Sequence, residues 1–510
     1  MKLNLKNFKF DRYCVSLILI IAFGAFLRLY HIKDYIVFLG DEGRDALVVW
    51  GILHGHLTLL GPTASVGGFF LGPIYYYMMA PFLWLSNYDP VGPAIMVALF
   101  GLATIYLLYK LVSEFFGKNA GIISALLYAS SPIIVNFSRS SWNPNVVPFF
   151  TLATLFSLYK AEIKNNWKLY ILSGFLLGIL MQLHYLATFV GAIIFFYVLA
   201  NSAYLKKLNE IFKKYVLLFI GFLIGFSPFL LFELRHHFTN TLNVVNFIFK
   251  SGYTGAGGKF LGIIEFVFTR LFGGVGFSYP LPGNYYLFDS NLLKVWYAVF
   301  ALLSLSAIGF FLFKFIKEKE WSKYLLIFLW GLLGIGLFGL YKKPIYDYYL
   351  GFLFPLPFIL FGVFLSSFLK NRLSQIIIFL AVLAIVLLNL NFSHLRTQPN
   401  KLVQQTQDIS RFVLSQTGDR PYNFALLSPS NTDLAYRYFF TLDKKDPVEI
   451  LPPFVDPKRA SVTNQLFVVC EDACKPLGNS QWEVAGFGQA DLAQSWDLKV
   501  VKVYKLVHSK

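Results

Sequence analysis

Long apolar runs, separated by short groups of lysine and arginine, fill the first three quarters of this chain. A helix needs about 20 mainly apolar residues to cross a bilayer, and the runs have roughly this length. Gaps rich in lysine and arginine, which favour the cytoplasmic side, alternate with gaps that lack them. We therefore predict a polytopic α-helical membrane protein with about eleven transmembrane helices, near residues 13–30, 91–112, 120–137, 146–160, 168–184, 186–205, 214–233, 293–313, 322–340, 348–369 and 374–392.

The same charge pattern predicts the orientation of the chain. Lys2, Lys6 and Lys9 precede the first span, which has no cleavage signal, so we expect a cytoplasmic N-terminus. An odd number of spans then leaves the last part of the chain outside. We expect a multi-pass protein of a prokaryotic plasma (inner) membrane.

One apolar segment does not fit the alternation. Residues 72–86 are hydrophobic, but the segment is short and contains Pro73 and Pro81. We interpret it as a helix that lies in the outer interface rather than as a span. The first outer loop is then long, at about residues 31–90, and it also contains a predicted helix from Asp41 to His54.

The pattern changes after residue 392, where long apolar runs end and Gln, Asn, Asp and Pro become frequent. Alternating segments predict strands near 422–428, 466–470 and 499–507, and a helix is predicted near 403–415. We therefore predict two domains: a transmembrane domain at 1–392 and a small soluble α/β domain at 393–510, on the extracytoplasmic side.

The composition limits the kind of molecule that the basic residues can contact. The chain is 56% hydrophobic and carries a formal net charge of +17, but its basic residues lie between the spans. We therefore expect a lipid bilayer, and no nucleic acid, as the partner of these charges. No zinc-type spacing occurs, so we expect no cofactor and no metal site, with dependence on a divalent metal left open. Cys470 and Cys474 form either a disulfide or two free thiols.

The densest charged motif is GDEGRD, which begins at Gly40 in the first outer loop. Ionised groups close to hydrocarbon are costly and usually mark function. Asp41 and Glu42 are the candidate catalytic residues, because a carboxylate can act as general base on an acceptor hydroxyl or amine. Arg44 is a candidate for substrate binding. The alternative is a helix cap, in which the acids complement the helix dipole and Arg44 pairs locally.

Lys342 and Lys343 are the second signal, because they lie in a predicted outer loop against the charge rule. Paired ammonium groups at the headgroup level suit the phosphate of a lipid-borne donor. Unspecific contact with anionic lipid heads is the alternative. Tyr346 and Asp347 follow in the same loop and are candidates for substrate binding.

Two further polar segments interrupt the apolar pattern. Arg139 is a candidate for holding the donor phosphate bidentately, and its neighbours would bind a sugar by stacking or by hydrogen bonds. The candidates for substrate binding in these segments are Trp142, Asn143, Asn145, His184 and Tyr185. An ordinary polar turn and an interfacial histidine are the alternatives.

Together these motifs resemble the membrane glycosyltransferases of the GT-C fold, in the protein-mannosyltransferase and aminoarabinose-transferase-like family. The motifs that carry the resemblance are Asp41-Glu42 within DEGRDA, LGPIYY at 71–76, SRSSWNPNVVPFF at 138–150, and Tyr348-Tyr349-Leu350 before Pro355 and Pro357. The resemblance covers roughly residues 10–365. The chain departs from the family pattern at Asn143 and Asn145, where many members have an acid, and in the proline motif, which lacks its histidine.

The resemblance implies transfer of a sugar from a polyprenyl-phosphate-linked donor to a protein, lipid or glycan acceptor outside the membrane, with Asp41 as the base. One alternative is a membrane glycan ligase or polymerase of another fold, which would rely on Arg235 and His236. The other is a flippase or transporter of lipid-linked sugars. A transporter would carry charges near the middle of its spans, whereas here the charges collect at one face.

Overall fold

The computed structural model describes residues 11–255, 259–275 and 291–509. Lys2, Lys6 and Lys9 lie outside these ranges, so the orientation of the N-terminus stays a prediction. Up to residue 391 the described chain is mainly helical. Its helices are α1 Arg12–Leu29, α2 Ile32–Tyr35, α3 Gly40–Leu53, α4 Ile74–Leu85, α5 Val91–Phe116, α6 Lys118–Ser130, α7 Pro132–Phe137, α8 Val147–Lys164, α9 Trp167–Leu183, α10 Thr188–Tyr204, α11 Ile211–Gly225, α12 Ser227–Arg235, α13 Thr239–Phe249, α14 Phe260–Gly273, α15 Asn291–Lys317, α16 Trp321–Gly336, α17 Pro355–Ser366 and α18 Arg372–Asn391.

Several of these helices can cross a membrane. Within the described residues, seven are long and apolar enough, and two bent pairs raise the number to as many as nine. One pair bends by 71° before α12 and the other by 53° before α17. Pro228 and Pro355 lie in the first turns after the bends. Proline removes a backbone donor and disfavours helical geometry in the preceding residue, so it explains both bends.

Three predicted spans, at 120–137, 214–233 and 348–369, are interrupted in the structure, and the last two are the bent pairs. A fourth agrees with the prediction but is short. The segment predicted at 120–137 is divided, because α6 ends at Ser130 and α7 begins at Pro132. The segment predicted at 168–184 corresponds to α9, which has 17 residues. The count of eleven spans therefore stays a prediction. Helix α4 has 12 residues and is roughly 18 Å long, too short to cross, as expected for an interfacial helix.

Contacts divide the chain into two compact units. The first comprises Met1–Ile32, Leu57–Met79 and Pro93–Gln398, and the second comprises Lys33–His56, Ala80–Gly92 and Pro399–Lys510. The last segment of the second unit starts close to the predicted domain boundary at 392. The second unit also takes in two stretches of the predicted first outer loop, however. One of them carries α3, so the acidic motif belongs to the same compact unit as the C-terminal domain.

The C-terminal part of the second unit is a small α/β domain, as the sequence predicts. Its elements are α19 Leu402–Gln416, β1 Asn423–Leu427, α20 Leu434–Leu442, β2 Leu466–Cys470, α21 Trp482–Ala485, β3 Ala490–Asp497 and β4 Lys502–His508. The strand order is β1-β2-β4-β3, with β1 and β2 parallel and the other pairs antiparallel. Phe424 and Leu426 face a core with α19 and α20, and Ala425 and Leu427 face a second core with α21.

Candidate functional site

Helix α3 carries the acidic motif in its first turn. It begins at Gly40 and ends at Leu53, close to the predicted bounds. The side chain of Glu42 accepts a hydrogen bond from the backbone N–H of Leu39 at 3.1 Å. This contact satisfies a donor at the start of the helix, as in a capping box. Glu42 therefore has the capping role that the sequence left as an alternative.

Glu42 is also sensitive to pH near neutrality. Burial raises the pKa of this carboxyl group to about 7, against an opposing effect of its backbone hydrogen bonds. The nearby carboxylates of Asp45 and Asp41 add to the rise in pKa. Because burial disfavours the charged form, Glu42 exists in both protonation states at neutral pH.

Arg44 pairs with both aspartates of the motif. Its Nη1 donates to Asp41 Oδ1 at 2.9 Å, and its Nη2 and Nε donate to Asp45 Oδ1 at 2.7 and 2.9 Å. The side chain of Asp45 is fully buried, whereas that of Asp41 is 56% exposed. Asp45 is therefore enclosed within the fold, whereas Asp41 is accessible to solvent.

Two glycines let α3 approach the C-terminal domain closely. A Cβ at Gly40 would overlap the side chain of Thr432, and a Cβ at Gly43 would overlap the backbone of Ala435 in α20. Only glycine leaves this space. Since residues three apart lie on one face of a helix, this pair defines the face by which α3 packs on α20.

In the first unit, rings from separate segments pack together. We call this group the aromatic cluster and define it as Trp142, His184, Tyr185, Tyr348 and Tyr349. The centroids of Trp142 and Tyr348 lie 4.3 Å apart, and His184 stacks on Tyr185 at 4.7 Å. His184 also contacts Tyr349 at 5.3 Å. The structure thus brings together three of the predicted substrate-binding residues and adds two tyrosines.

Hydroxyl groups lie at the edge of the aromatic cluster. Tyr348 OH is 3.0 Å from Ser65 Oγ, and Tyr185 OH is 3.3 Å from Tyr341 OH. Tyr346 stacks on Tyr348 at 5.7 Å. Rings with a few convergent polar groups are typical of small-molecule sites. The tyrosine-rich segment is visible in the sequence, but only the fold brings it beside the tryptophan and the histidine.

Arg139 has a different set of partners from the one the sequence predicts. It is buried, and its guanidinium donates to the carbonyl oxygens of Leu27, Arg28 and Tyr30 at 2.7, 3.0 and 2.9 Å. These carbonyls lie at the end of α1, where backbone acceptors lack helical partners. Arg139 therefore caps the C-terminus of α1. The sequence alone does not distinguish an arginine that caps a helix from one that binds phosphate.

The two asparagines of the same segment also bind backbone. Asn143 donates to the carbonyl of Leu183 at 2.6 Å, and Asn145 donates to that of Ser140 at 2.8 Å. These bonds occupy side-chain N–H groups that we assigned to sugar hydroxyls. They hold the segment that presents Trp142.

A cleft of about 500 Å³ opens beside Lys343. We call it the lysine cleft, and it is lined by Lys259, Gly262, Ile263, Phe266, Lys343 and Ile345. Lys343 Nζ lies 3.6 Å from the ring centroid of Tyr253, a cation–π contact that favours one position of the ammonium group. Lys342, the other predicted lysine, is exposed, and Lys259 was not predicted.

An ion pair joins the two walls of the lysine cleft. Arg270 on α14 donates from Nε and Nη2 to Asp347 Oδ1 and Oδ2, at 2.7 and 2.6 Å. Both side chains are nearly buried, and a bidentate pair of this kind fixes geometry as well as charge. Asp347, predicted to bind substrate, is thus engaged by an arginine and holds the loop of Lys343 against α14.

The fold defines the class of this protein. The crystal structure of ArnT from Cupriavidus metallidurans bound to undecaprenyl phosphate is similar over 96% of this chain and 97% of that chain, with a TM-score of 0.62 and 12% identity. Oligosaccharyltransferase from Archaeoglobus fulgidus in complex with Zn and sulfate is similar over 89% of this chain and 68% of that chain, with a TM-score of 0.55 and 15% identity. The chain is a multi-span membrane protein of the GT-C fold.

Sequence comparison agrees with this resemblance. Residues 71–232, about a third of the chain, match the family model of dolichyl-phosphate-mannose-protein mannosyltransferase, so the resemblance seen in the motifs is confirmed for this stretch. YycA from Bacillus subtilis (strain 168), a candidate mannosyltransferase, is 26% identical over 215 residues. The match covers 39% of this chain and 29% of YycA. This chain thus matches less than a third of that relative's length.

The sequence predicts no metal site and leaves dependence on a divalent ion open. Among residues 11–255, 259–275 and 291–509, no group of three or more His, Cys, Asp or Glu side chains could hold a metal ion. The Zn of the oligosaccharyltransferase complex belongs to that protein.

Proposed function

We propose that this protein is a membrane glycosyltransferase that moves a sugar from a polyprenyl-phosphate-linked donor to an extracytoplasmic acceptor. The observation that carries the proposal is the lysine cleft, because it combines two ammonium groups with apolar walls. A polyprenyl phosphate has the matching chemistry, with an anionic head on a long apolar chain. The undecaprenyl phosphate bound to ArnT supports the same class of donor here.

The cleft lysines act on charge that develops during transfer. The bond between the sugar C1 and a phosphate oxygen breaks, and a bond from C1 to the acceptor oxygen or nitrogen forms. The lipid phosphate changes from a diester to a monoester and gains a negative charge. Lys259 and Lys343 would stabilise this charge more strongly in the transition state than in the bound donor. The exposed side chains of Leu261 and Phe266 on α14 would contact the lipid chain.

Asp41 is the proposed base. Among the acids of its motif, Glu42 caps the helix and Asp45 is buried against Arg44, whereas Asp41 is accessible. Its carboxylate would take the proton of the acceptor hydroxyl or amine as the new bond forms. Arg44 holds one oxygen of Asp41 and so keeps the carboxylate in one orientation.

The aromatic cluster is the proposed platform for the sugar. Trp142, Tyr185 and Tyr348 keep part of their surface accessible, and rings of this kind provide rigid apolar faces with polar edges. Tyr346 extends the platform by stacking on Tyr348. The proposed acceptor is a protein, a lipid or a glycan with a hydroxyl or an amine, because Asp41 would take its proton from such a group.

Binding of undecaprenyl phosphate to the purified protein in detergent tests the donor site. Lys343→Gln and Lys259→Gln should each weaken binding by about tenfold, since a hydrogen bond to a charged group contributes roughly 1.5 kcal/mol or more. Lys250→Gln removes an exposed lysine outside the cleft and is the matched control. Equal affinity of the cleft variants and the control would contradict the assigned donor site.

Transfer activity tests the base. Membranes that contain the Asp41→Asn variant should incorporate label from polyprenyl-phosphate-linked mannose into lipid, protein or glycan fractions at least about a hundredfold more slowly. Asp419→Asn, which removes an exposed acid of the C-terminal domain, should transfer normally. Full activity of Asp41→Asn would refute the catalytic assignment. The same assay with EDTA, followed by a divalent ion, tests for a metal.

A further inference from the structure

The first turn of α3 is held by a side chain that comes from the far end of the chain. The backbone N–H of Gly40, the first residue of α3, donates to Asn431 Oδ1 at 2.8 Å across 391 residues of sequence. This N–H is one of those at a helix start that have no partner inside the helix. Asn431 therefore completes the cap that Glu42 begins.

Asn431 is itself fixed by a carboxylate of the C-terminal domain. Its Nδ2 donates to Glu471 Oε1 at 2.8 Å, and the hydroxyl of Tyr436 on α20 donates to the same oxygen at 2.9 Å. Asn431 Oδ1 also accepts from the backbone N–H of Thr432 at 2.9 Å. Both ends of the Asn431 amide are thus engaged, and this determines its orientation.

Glu471 lies in a constrained segment. It directly follows β2, and its backbone N–H donates to the carbonyl of Leu427 in β1 at 3.2 Å. A disulfide between Cys470 and Cys474 encloses it. A continuous set of contacts therefore leads from the buried parallel strands to the N–H of Gly40.

We propose that Asn431 and Glu471 are positioning residues for the acidic helix, because they fix the first turn of α3 and with it the direction of Asp41. This inference rests on the proposed function, in which Asp41 is the base. A general base must lie within hydrogen-bond reach of the proton that it removes. A displacement of 1 Å can lower a rate by about a hundredfold, so the link to Gly40 affects the chemical step.

Replacement of the linking amide tests the inference. Asn431→Ala should lower kcat for sugar transfer by on the order of tenfold, with KM for the lipid-linked donor unchanged. Hydrogen exchange of the amides at residues 40–43 should become faster, which reports the position of α3 without any assay of transfer. Gln481→Ala is the matched control, since it removes a half-buried amide that binds the carbonyl of Leu426 inside the same domain. The control should change neither quantity.

A double variant that exchanges the hydrogen-bonding groups at positions 431 and 471 provides a second test. Asn431→Asp alone would set two carboxylates against each other and should also lower kcat. When it is combined with Glu471→Gln, the new amide at position 471 can donate to the new carboxylate at position 431, which still accepts from Gly40. The double variant should recover most of the lost kcat. No recovery in the double variant would contradict a link that runs from residue 471 through residue 431 to Gly40.

The outcomes separate this inference from the proposed function. Unchanged exchange at residues 40–43 in Asn431→Ala overturns the inference. So does transfer at the wild-type rate in Asn431→Ala when Asp41→Asn is inactive. If Asp41→Asn is fully active while Asn431→Ala accelerates exchange, the assignment of the base fails and the link between Asn431 and α3 stands.

Discussion

The acidic motif on α3 and the aromatic cluster are built in opposite ways. On α3 the charged partners are local, since Arg44 contacts Asp41 three residues away and Asp45 next to it. Around the aromatic cluster, Tyr348 reaches Ser65 across 283 residues and Tyr185 reaches Tyr341 across 156. The charge pairs can therefore form wherever α3 is helical, and their function depends on how the helix is docked. The ring platform exists only when the helices of the first unit are packed.

A substitution that disturbs the packing of α3 on α20 should have the largest effect on transfer. Gly43→Ala places a methyl group against the backbone of Ala435, so α3 and α20 must move apart while the charge pairs of α3 stay intact. We expect transfer to fall by on the order of a hundredfold and the free energy of unfolding to fall by about 1–3 kcal/mol. Transfer assays and denaturant unfolding measure the two effects.

Gly51 provides the matched control in the same helix. A Cβ at this position would lie 3.7 Å from its nearest neighbour, His56 Cβ. Gly51→Ala should therefore keep wild-type transfer and gain some helix stability. If Gly43→Ala and Gly51→Ala transfer sugar at the same rate, the activity of the acidic motif does not depend on the packing of α3 on α20.

The aromatic cluster should respond through binding of the sugar. Trp142→Ala removes the ring that lies 4.3 Å from Tyr348, and we expect KM for the sugar-carrying donor to rise by about tenfold, or roughly 1.4 kcal/mol. Affinity for undecaprenyl phosphate without a sugar should not change, and Trp142→Phe should keep most of the effect of the ring. Equal weakening of both ligands would show that the cluster does not recognise the sugar.

The smallest effect on transfer should come from Glu42, and it should depend on pH. The pKa of Glu42 is about 7 in the folded protein, against an ordinary value of 4.5. As the pH rises, the unfolded chain therefore loses the Glu42 proton at a lower pH than the folded protein does. The folded state therefore loses stability as pH rises from about 4.5 to about 7, and the loss is complete above pH 7. Glu42→Gln should abolish this dependence, because the neutral amide can still accept from Leu39.

The pH profile of transfer gives a second measurement on Glu42. Ionisation of Glu42 adds a negative charge to the motif and favours the arrival of the acceptor proton, so the rate should rise through pH 7 in the wild type. The rise should be absent in Glu42→Gln. A rise near pH 7 that persists in this variant would assign it to another group.

Local features of the fold could be predicted from the sequence, and features that depend on distant contacts could not. Strand β2 has the predicted bounds, Leu466–Cys470, because its apolar run and its flanking residues are contiguous. Strand β3 was not predicted, since most of its residues are exposed and it lacks apolar alternation. The spans were placed on helices, but the bends at Pro228 and Pro355 and the break before Pro132 depend on how far packing compensates for each proline.

The candidate site shows the same division. The helix that carries Asp41 was predicted from adjacent residues. Lys259 was not, because it lies at the start of α14 with no neighbouring charge to mark it. The fold brings it beside Lys343, where Arg270 of α14 pairs with Asp347.

The hydrogen bond between Gly40 and Asn431 has a consequence for synthesis of the protein. At about 5–20 residues per second, the ribosome needs roughly 20–80 s to make the 391 residues that separate them. During this interval the charge pairs of α3 can form, but Thr432 and Ala435, against which its two glycines pack, do not yet exist. A chain that stops before Asn431 would retain every charged residue of the acidic motif, and Asp41 would have no fixed direction.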